Sequence, residues 1–322
     1  MGRINMVALK KAKTNRSDGK GNLRKEWKKN KGLFIMVAPS IVFFLIFSYV
    51  PMVGLYYAFT RYNFNDGFFS PFVGLDNFKF LFRSGTLWTI TRNTLAYNIV
   101  FMVFGNLFQL VTAIVISELI GKKVKKFMQS AIFLPYFISF VLLGAFAYNL
   151  FNYETGLFNS IRESLGMAPI DIYGSPVYWY FILPIFYIWK NVGYGSVIYL
   201  SAITNIDQEI YEAADIDGAN IFQKIRYITL PMLKGTVIIL VLFSLGKIMK
   251  GQFDMFYNLV GNNGLLFNAT DIIDTYVYRT LMINFDVGMG TAAGLYQSIF
   301  GFCIIMVANH LIKKADPDYA LF

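Results

Sequence analysis

Glu212-Ala-Ala-Asp-Ile-Asp-Gly218-Ala-Asn-Ile-Phe-Gln-Lys-Ile-Arg-Tyr-Ile-Thr-Leu230-Pro231 is a soluble-looking stretch set between two strongly apolar segments. Just upstream, Asp207 is a good helix N-cap, and Glu209 puts negative charge in the first turn, where the helix dipole favours it. A short helix is expected there. Ala213 and Ala214 are small enough for another surface to approach the backbone, and Gly218 can take the left-handed conformation that ends one helix and redirects the chain. A second helix is expected from about Asn220 to Ile228. Pro231 should stop it and restart the chain into the next apolar segment.

The flanking segments decide the class. With 56% hydrophobic, 18% aromatic and 15% charged residues over 322 positions, the chain carries more apolar surface than one soluble core hides. A membrane-spanning helix needs about 20 mostly apolar residues. Six segments qualify: Leu33 to Phe59, Thr94 to Ile116, Phe127 to Phe151, Val177 to Leu200, Gly235 to Tyr257 and Gly290 to Ile312. The expected fold is therefore an all-α membrane protein of six transmembrane helices. Pro39, Pro51, Pro135 and Pro184 lie inside spans, where a packed bundle tolerates kinks.

Charge sets the orientation. Twenty Lys/Arg fall in the amino-terminal tail, the Lys122–Lys126 link, the Glu212–Lys234 segment and the carboxy-terminal end, against six on the opposite side. Both termini and the polar stretch are therefore expected in the cytoplasm. The polybasic tail suits anionic lipids rather than nucleic acid. The first span is too long for a cleaved signal peptide and is expected to be a retained anchor.

Hydrolytic and metal chemistry find no support. A single cysteine, Cys303, and a single histidine, His310, allow neither a disulfide framework nor a Cys/His metal site. No phosphate-binding Gly-x-x-x-x-Gly-Lys-[Ser/Thr] loop occurs, since Ile248 follows Gly246-Lys247 where a hydroxyl must bind magnesium. No catalytic or metal residues are assigned.

The full pattern Glu212-Ala213-Ala214, Asp217-Gly218-Ala219 and Ile228-Thr-Leu230-Pro231 resembles the EAA loop of permease subunits of type I ABC importers, the MetI-like fold. Three further stretches, Ile132-Phe-Leu-Pro135, Asn258 to Leu266 and Asp274-Thr-Tyr-Val-Tyr-Arg279, resemble the carbohydrate group similar to MalF and, within it, polysaccharide-type permeases of the LplB/YteP kind. Ile225 stands where that family often has an aromatic residue, and Gly235 near where it often has a proline. The resemblance implies a tail over 1–32, a first helix and extracytoplasmic loop over 33–91, a transport domain over 92–314 with its coupling segment at 207–231, and a tail over 315–322. It implies that Glu212, Ala213, Ala214, Asp217, Gly218, Ala219, Leu230 and Pro231 couple to an ATPase. The implied partners are cytoplasmic nucleotide-binding ATPase subunits, a second homologous permease, an extracytoplasmic solute-binding lipoprotein and membrane lipids. ATP and magnesium would sit on the ATPase, with no cofactor on this chain, in a bacterial, Gram-positive cell membrane.

Ionisable groups at membrane depth usually face a bundle interior or a water-filled cavity. Read as one helix, Lys247, Lys250 and Asp254 share a face. Tyr180, Tyr187, Lys190, Asn191 and Tyr194 form a second stripe, with Lys190 at a depth similar to Lys247. Together they could line a pathway for an oligosaccharide, an acidic one if the lysines are unpaired. The plainer reading pairs Lys250 with Asp254 and packs the tyrosines between helices. An ion-gradient-driven transporter of six spans is the alternative function.

Overall fold

The structure, a computed structural model, describes residues 30–315. The basic tail up to residue 29 and residues 316–322 lie outside the described residues. The chain divides into two compact units, Met1–Leu55 and Tyr56–Phe322.

The first unit holds α1, Lys31–Phe44, followed by a π turn, Leu45–Tyr49. Almost every side chain of α1 is exposed although the helix is apolar round nearly its whole circumference, the pattern of a helix solvated by lipid. The apolar run continues to Phe59, as expected from the sequence.

The second unit begins with a short helix, α2 (Asp76–Arg83), and then α3 (Thr86–Glu118), which crosses the whole apolar layer. After α4 (Lys122–Phe133), a 3-10 turn (Leu134–Phe137), α5 (Phe140–Phe151) and α6 (Leu157–Ser164) comes the second long helix, α7 (Pro176–Thr204). The quoted stretch contributes α8 (Gln208–Ile216), α9 (Ile221–Lys224) and the start of α10 (Leu230–Leu245). The chain closes with α11 (Phe253–Val260), α12 (Phe267–Thr270), α13 (Ile273–Met282) and the long α14 (Val287–Ala315).

α3 is the mast of this unit. Its Tyr97 and Phe101 pack with Trp179, Leu183 and Phe186 of α7 and Met255, Phe256 and Leu259 of α11. Its Leu87 and Ile90 join Ile273 of α13 and Ala292, Ala293 and Tyr296 of α14, while Ala113 and Ile116 meet Tyr199, Ile203 and Leu233. Most other large apolar side chains stay exposed, because lipid rather than protein covers them.

Two expected spans are corrected. Phe127 to Phe151 is not one helix: Lys122–Phe137 and Phe140–Phe151 meet at 89°. Pro135 removes a backbone donor within the apolar run, so the helix tightens and breaks instead of curving. Gly235 to Tyr257 is not one helix either. The span runs over Ile221–Leu245, and the chain then turns through a corner at residues 246–252 before α11, where Gly246 and Gly251 interrupt the apolar pattern. Gly251 sits against Asp274, whose carboxylate accepts from the Gly251 N–H at 2.7 Å and from Gln297 at 2.9 Å. Burial raises the Asp274 pKa, and these two donors pull against that rise.

The segment between α11 and α13 is irregular, and α3 satisfies its backbone. Asn93 Nδ2 donates to the carbonyls of Asn268 (3.1 Å) and Asp271 (3.0 Å), Tyr97 Oη donates to that of Ala269 (2.9 Å), and Thr94 Oγ1 accepts from the Ile273 N–H (3.0 Å). Both guanidinium arms of Arg279 hold the Asp271 carboxylate, with the Phe267 ring 4.0 Å from the guanidinium carbon. A buried carbonyl stripped of its donor costs about 1–3 kcal/mol. The Asn268 carbonyl keeps a second donor in Arg92 at 2.9 Å, so Asn93→Ala strips that of Asp271 and lowers stability by about 1–3 kcal/mol, read as a lower thermal midpoint of the purified protein in detergent. An equally conservative change at exposed Asn149 should leave that midpoint in place.

Candidate functional site

The quoted stretch folds as a helical hairpin. Asp207 caps α8 through its side chain, which accepts from the Glu209 N–H at 3.0 Å. Gly218 turns the chain at φ +78°, a conformation costly for residues with a Cβ, and the Ala219 N–H closes the helix end on the Ala214 carbonyl at 2.9 Å. Asn220 then starts α9 with a reciprocal capping box, donating from its N–H to Gln223 Oε1 (2.8 Å) and accepting from the Gln223 N–H (3.0 Å).

Pro231 does not stop the second helix. The chain stays helical from Ile221 to Leu245, passing through a π turn at Ile225–Thr229. Widening the turn immediately ahead of the proline accommodates its ring and its missing donor without ending the helix. Ile225, one of the two positions that depart from the resemblance, opens this turn.

Two contacts tie the arms of the hairpin. Lys224 Nζ lies 2.8 Å from Asp215 Oδ1 near the tip. Nearer the bundle, the Tyr211 and Thr229 hydroxyls meet at 2.9 Å, and the buried Thr229 Oγ1 also donates to the Lys224 carbonyl at 3.4 Å. The tip is open and partly apolar: Ile216 is 87% exposed and Phe222 79%. Glu212, Ala213, Asp217, Gly218, Leu230 and Pro231 are exposed as well, and Ala214 and Ala219 are half-buried. The structure thus brings together the residues singled out at 212–219 and places Leu230 and Pro231 at the root.

The stripe proposed for Lys247, Lys250 and Asp254 does not exist on one helix. Lys247 and Lys250 lie in the corner after α10, and Asp254 lies in the first turn of α11. Lys250 and Asp254 form no ion pair with each other. All three side chains are exposed.

The stripe on α7 is real as a helix face, but only part of it is open: Lys190 is buried, Tyr187 and Asn191 are half-buried, and Tyr180 and Tyr194 are exposed. Lys190 is 5% exposed, and its ammonium donates to the carbonyls of Pro135 (3.4 Å), Tyr136 (2.8 Å) and Ile138. These carbonyls lie at the 89° break; that of Pro135 also accepts from the Ile138 N–H at 3.2 Å, while Lys190 supplies the donor for those of Tyr136 and Ile138. The ammonium also sits 4.9 Å from the Phe140 ring centre and 5.8 Å from that of Tyr136. One turn on, Gly193 lets α7 close on the same corner, for a Cβ there would fall 2.1 Å from the Ile132 carbonyl oxygen. Tyr194 stacks on Tyr136 at 4.7 Å, and Tyr187 stacks on Phe101 at 4.0 Å. Asn191 donates to the Tyr187 carbonyl at 2.9 Å, and Tyr180 lies beside Tyr97. Lys190 is therefore a cap for the broken span, not a free cation.

A model of the family described as "Binding-protein-dependent transport system inner membrane component" matches residues 109–316. The chain belongs to that family. It is 32% identical over 292 residues to Protein LplB of Bacillus subtilis (strain 168), covering 90% of this chain and 91% of that one. It is 31% identical over 294 residues to the polygalacturonan/rhamnogalacturonan transport system permease protein YteP of the same organism, covering 89% of each. Among solved structures, a chain of a bacterial alginate ABC transporter, in complex with an alginate pentasaccharide-bound periplasmic protein, superposes with a TM-score of 0.82 at 30% identity. That match covers 92% of this chain and 98% of the other. The permease fold expected from the quoted stretch is the fold observed.

Sequence reading missed the second tier of this site. Tyr211, Thr229, Asp215 and Lys224 carry no individual signal, because each tie joins residues far apart along the chain. The break at Pro135 had a signal in the proline itself. Loss of the Lys190 ammonium strands the carbonyls of Tyr136 and Ile138 in an apolar setting. Lys190→Met is expected to destabilise the protein by about 2–4 kcal/mol, seen as a lower thermal midpoint in detergent. Lys247→Met, at an exposed corner, should shift it by less than about 0.5 kcal/mol.

Proposed function

We propose that this chain is one of two unlike permease subunits of an ATP-driven oligosaccharide importer, and that residues 207–231 are the cytoplasmic knob through which a separate ATPase moves the membrane helices. The observation that carries this reading is the hairpin tip. Ile216 and Phe222 hold apolar side chains in the open beside Glu212 and Ala213, on a hairpin whose helix starts are already capped. An exposed apolar cluster with a charged rim suits a docking surface, and a pre-ordered one binds with little ordering cost. The excess of Lys/Arg on the same side as the hairpin supports a cytoplasmic position for it and for both termini. The chain itself hydrolyses nothing in this reading; ATP and magnesium belong to the ATPase, and a solute-binding lipoprotein delivers the cargo to the outer face of a bacterial, Gram-positive membrane.

For the cargo we infer an acidic, polysaccharide-derived oligosaccharide. Two similar proteins are named for polygalacturonan and alginate, both polymers of uronic acids. In this chain Lys247 and Lys250 are exposed cations close to the ends of membrane-crossing helices, suited to carboxylates, while exposed Tyr194 offers a flat face of the kind that suits a sugar ring. Tyr187, Asn191 and Asp254 stay in the proposed pathway wall; Lys190 leaves it, its donors being used at the corner.

Purification of the chain from its native membrane should bring an ATPase subunit and a second permease with it. Gly218→Val forces a Cβ into the left-handed region at a cost of about 1–2 kcal/mol and distorts the turn at the tip, so cargo-stimulated ATP hydrolysis should fall severalfold. Glu212→Lys should reduce the amount of ATPase retained. Transport that proceeds normally in these variants, driven by an ion gradient, overturns the reading. With the reconstituted complex, uronic-acid oligomers should stimulate ATP hydrolysis and neutral oligomers of equal length should not; the reverse preference would overturn the assignment of an acidic cargo.

A further inference from the structure

The two ties across the hairpin have a register. Asp215 faces Lys224 and Tyr211 faces Thr229, as expected of antiparallel helices joined at Gly218. On α8 the tied residues stand four apart, one regular turn, whereas on the second arm they stand five apart. Along an ordinary α-helix a five-residue step rotates a side chain about 140° off the starting face. The second arm escapes this because Ile225–Thr229 is a π turn, which absorbs one extra residue per turn. The π turn therefore does more than accommodate Pro231: it returns Thr229 to the face that carries Lys224 and sets its hydroxyl against Tyr211.

The two ties differ in strength. Asp215 is largely exposed, and exposed ion pairs hold little. Thr229 is buried, and its hydroxyl joins the Tyr211 hydroxyl to the Lys224 carbonyl, a chain of hydrogen bonds less open to water than the ion pair. Beyond Thr229 the helix continues without interruption into α10, and Leu233, one turn along, is buried against Tyr199 and Ile203 of α7.

We propose that the Tyr211–Thr229 hydroxyl bridge, set in register by the π turn, is a positioning device that makes α8, α9 and α10 move as one body, so that displacement of the tip is delivered to the membrane helices. This rests on the docking role proposed above and adds to it the residues through which motion passes. Neither hydroxyl touches the exposed tip, so neither is needed for docking itself.

The test uses the whole complex with Cys303, the sole cysteine, replaced by serine and spin labels placed on cysteines at the exposed positions Gln208 and Met232. Distances are measured without nucleotide and with vanadate-trapped ATP. With both hydroxyls present, the two states should give the same narrow distance. Tyr211→Phe and Thr229→Val, each close in shape to the native residue, should keep the ATPase bound yet broaden or shift that distance on trapping. The double variant should do no more than either single one, since both remove one bridge. Asp215→Asn should leave the distance narrow. A distance that already shifts with both hydroxyls present, single variants as narrow as the parent, or additive broadening in the double variant would each overturn the proposal. So would loss of the ATPase from the single variants, which would assign the hydroxyls to docking. Absence of any ATPase from the parent complex would instead overturn the docking role on which the proposal stands.

Discussion

A main-chain carbonyl in hydrocarbon has no water to turn to, and this constraint organises the second unit of the protein. Helices satisfy it by themselves only while they run unbroken. Wherever the chain turns within the apolar bundle, a polar side chain from another helix has to stand there. Lys190 stands at the corner between α4 and α5, and Asn93, Thr94 and Tyr97 stand against the irregular segment before α13. These are polar groups of the interior that stabilise shape. Their presence in a span marks a bend in a neighbour as readily as it marks a path for solute.

The hairpin answers the same constraint in a different way. Its second arm does not break at the bundle but passes into α10 as continuous helix, and the one irregularity along that path is a π turn whose geometry places a hydroxyl where the first arm can use it. Continuity suits a lever. A break at Pro231 would have left the tip attached to the bundle by a hinge, free to rock without moving anything; an unbroken helix anchored at Leu233 transmits.

Much of this was legible in the sequence, and what was not has physical causes. Four of the long helices were visible because an apolar run of their length has one solvent that fits. The hairpin was visible because caps and left-handed glycines are local signals: Asp207, Asn220 and Gly218 each act within a few residues of themselves. Breaks inside apolar runs were invisible to hydropathy, since a corner of 89° costs the run none of its apolar residues. Lys247, Lys250 and Asp254 kept helical spacing across a corner by coincidence, and only Gly246 and Gly251 warned of it. The ties were hidden for the opposite reason, as Tyr211 and Thr229 are 18 residues apart and acquire meaning only when the arms fold together. The stretches that carried the resemblance fall largely at such places: Ile132 to Pro135 at the corner of the broken span, Asn258 to Leu266 at the end of α11, and Asp274 to Arg279 in the helix that braces the corner after α10.

The Lys190 cap also has a consequence in time. The lysine follows the corner it satisfies by 52 residues, and ribosomes add about 5–20 residues per second, so the corner is made several seconds before its donor exists. During that interval the carbonyls of Tyr136 and Ile138 lack the ammonium that later satisfies them, in a setting where an unmet carbonyl is costly. Pro135 breaks the helix locally, but the satisfied form of the corner belongs to the bundle in which α7 stands beside it.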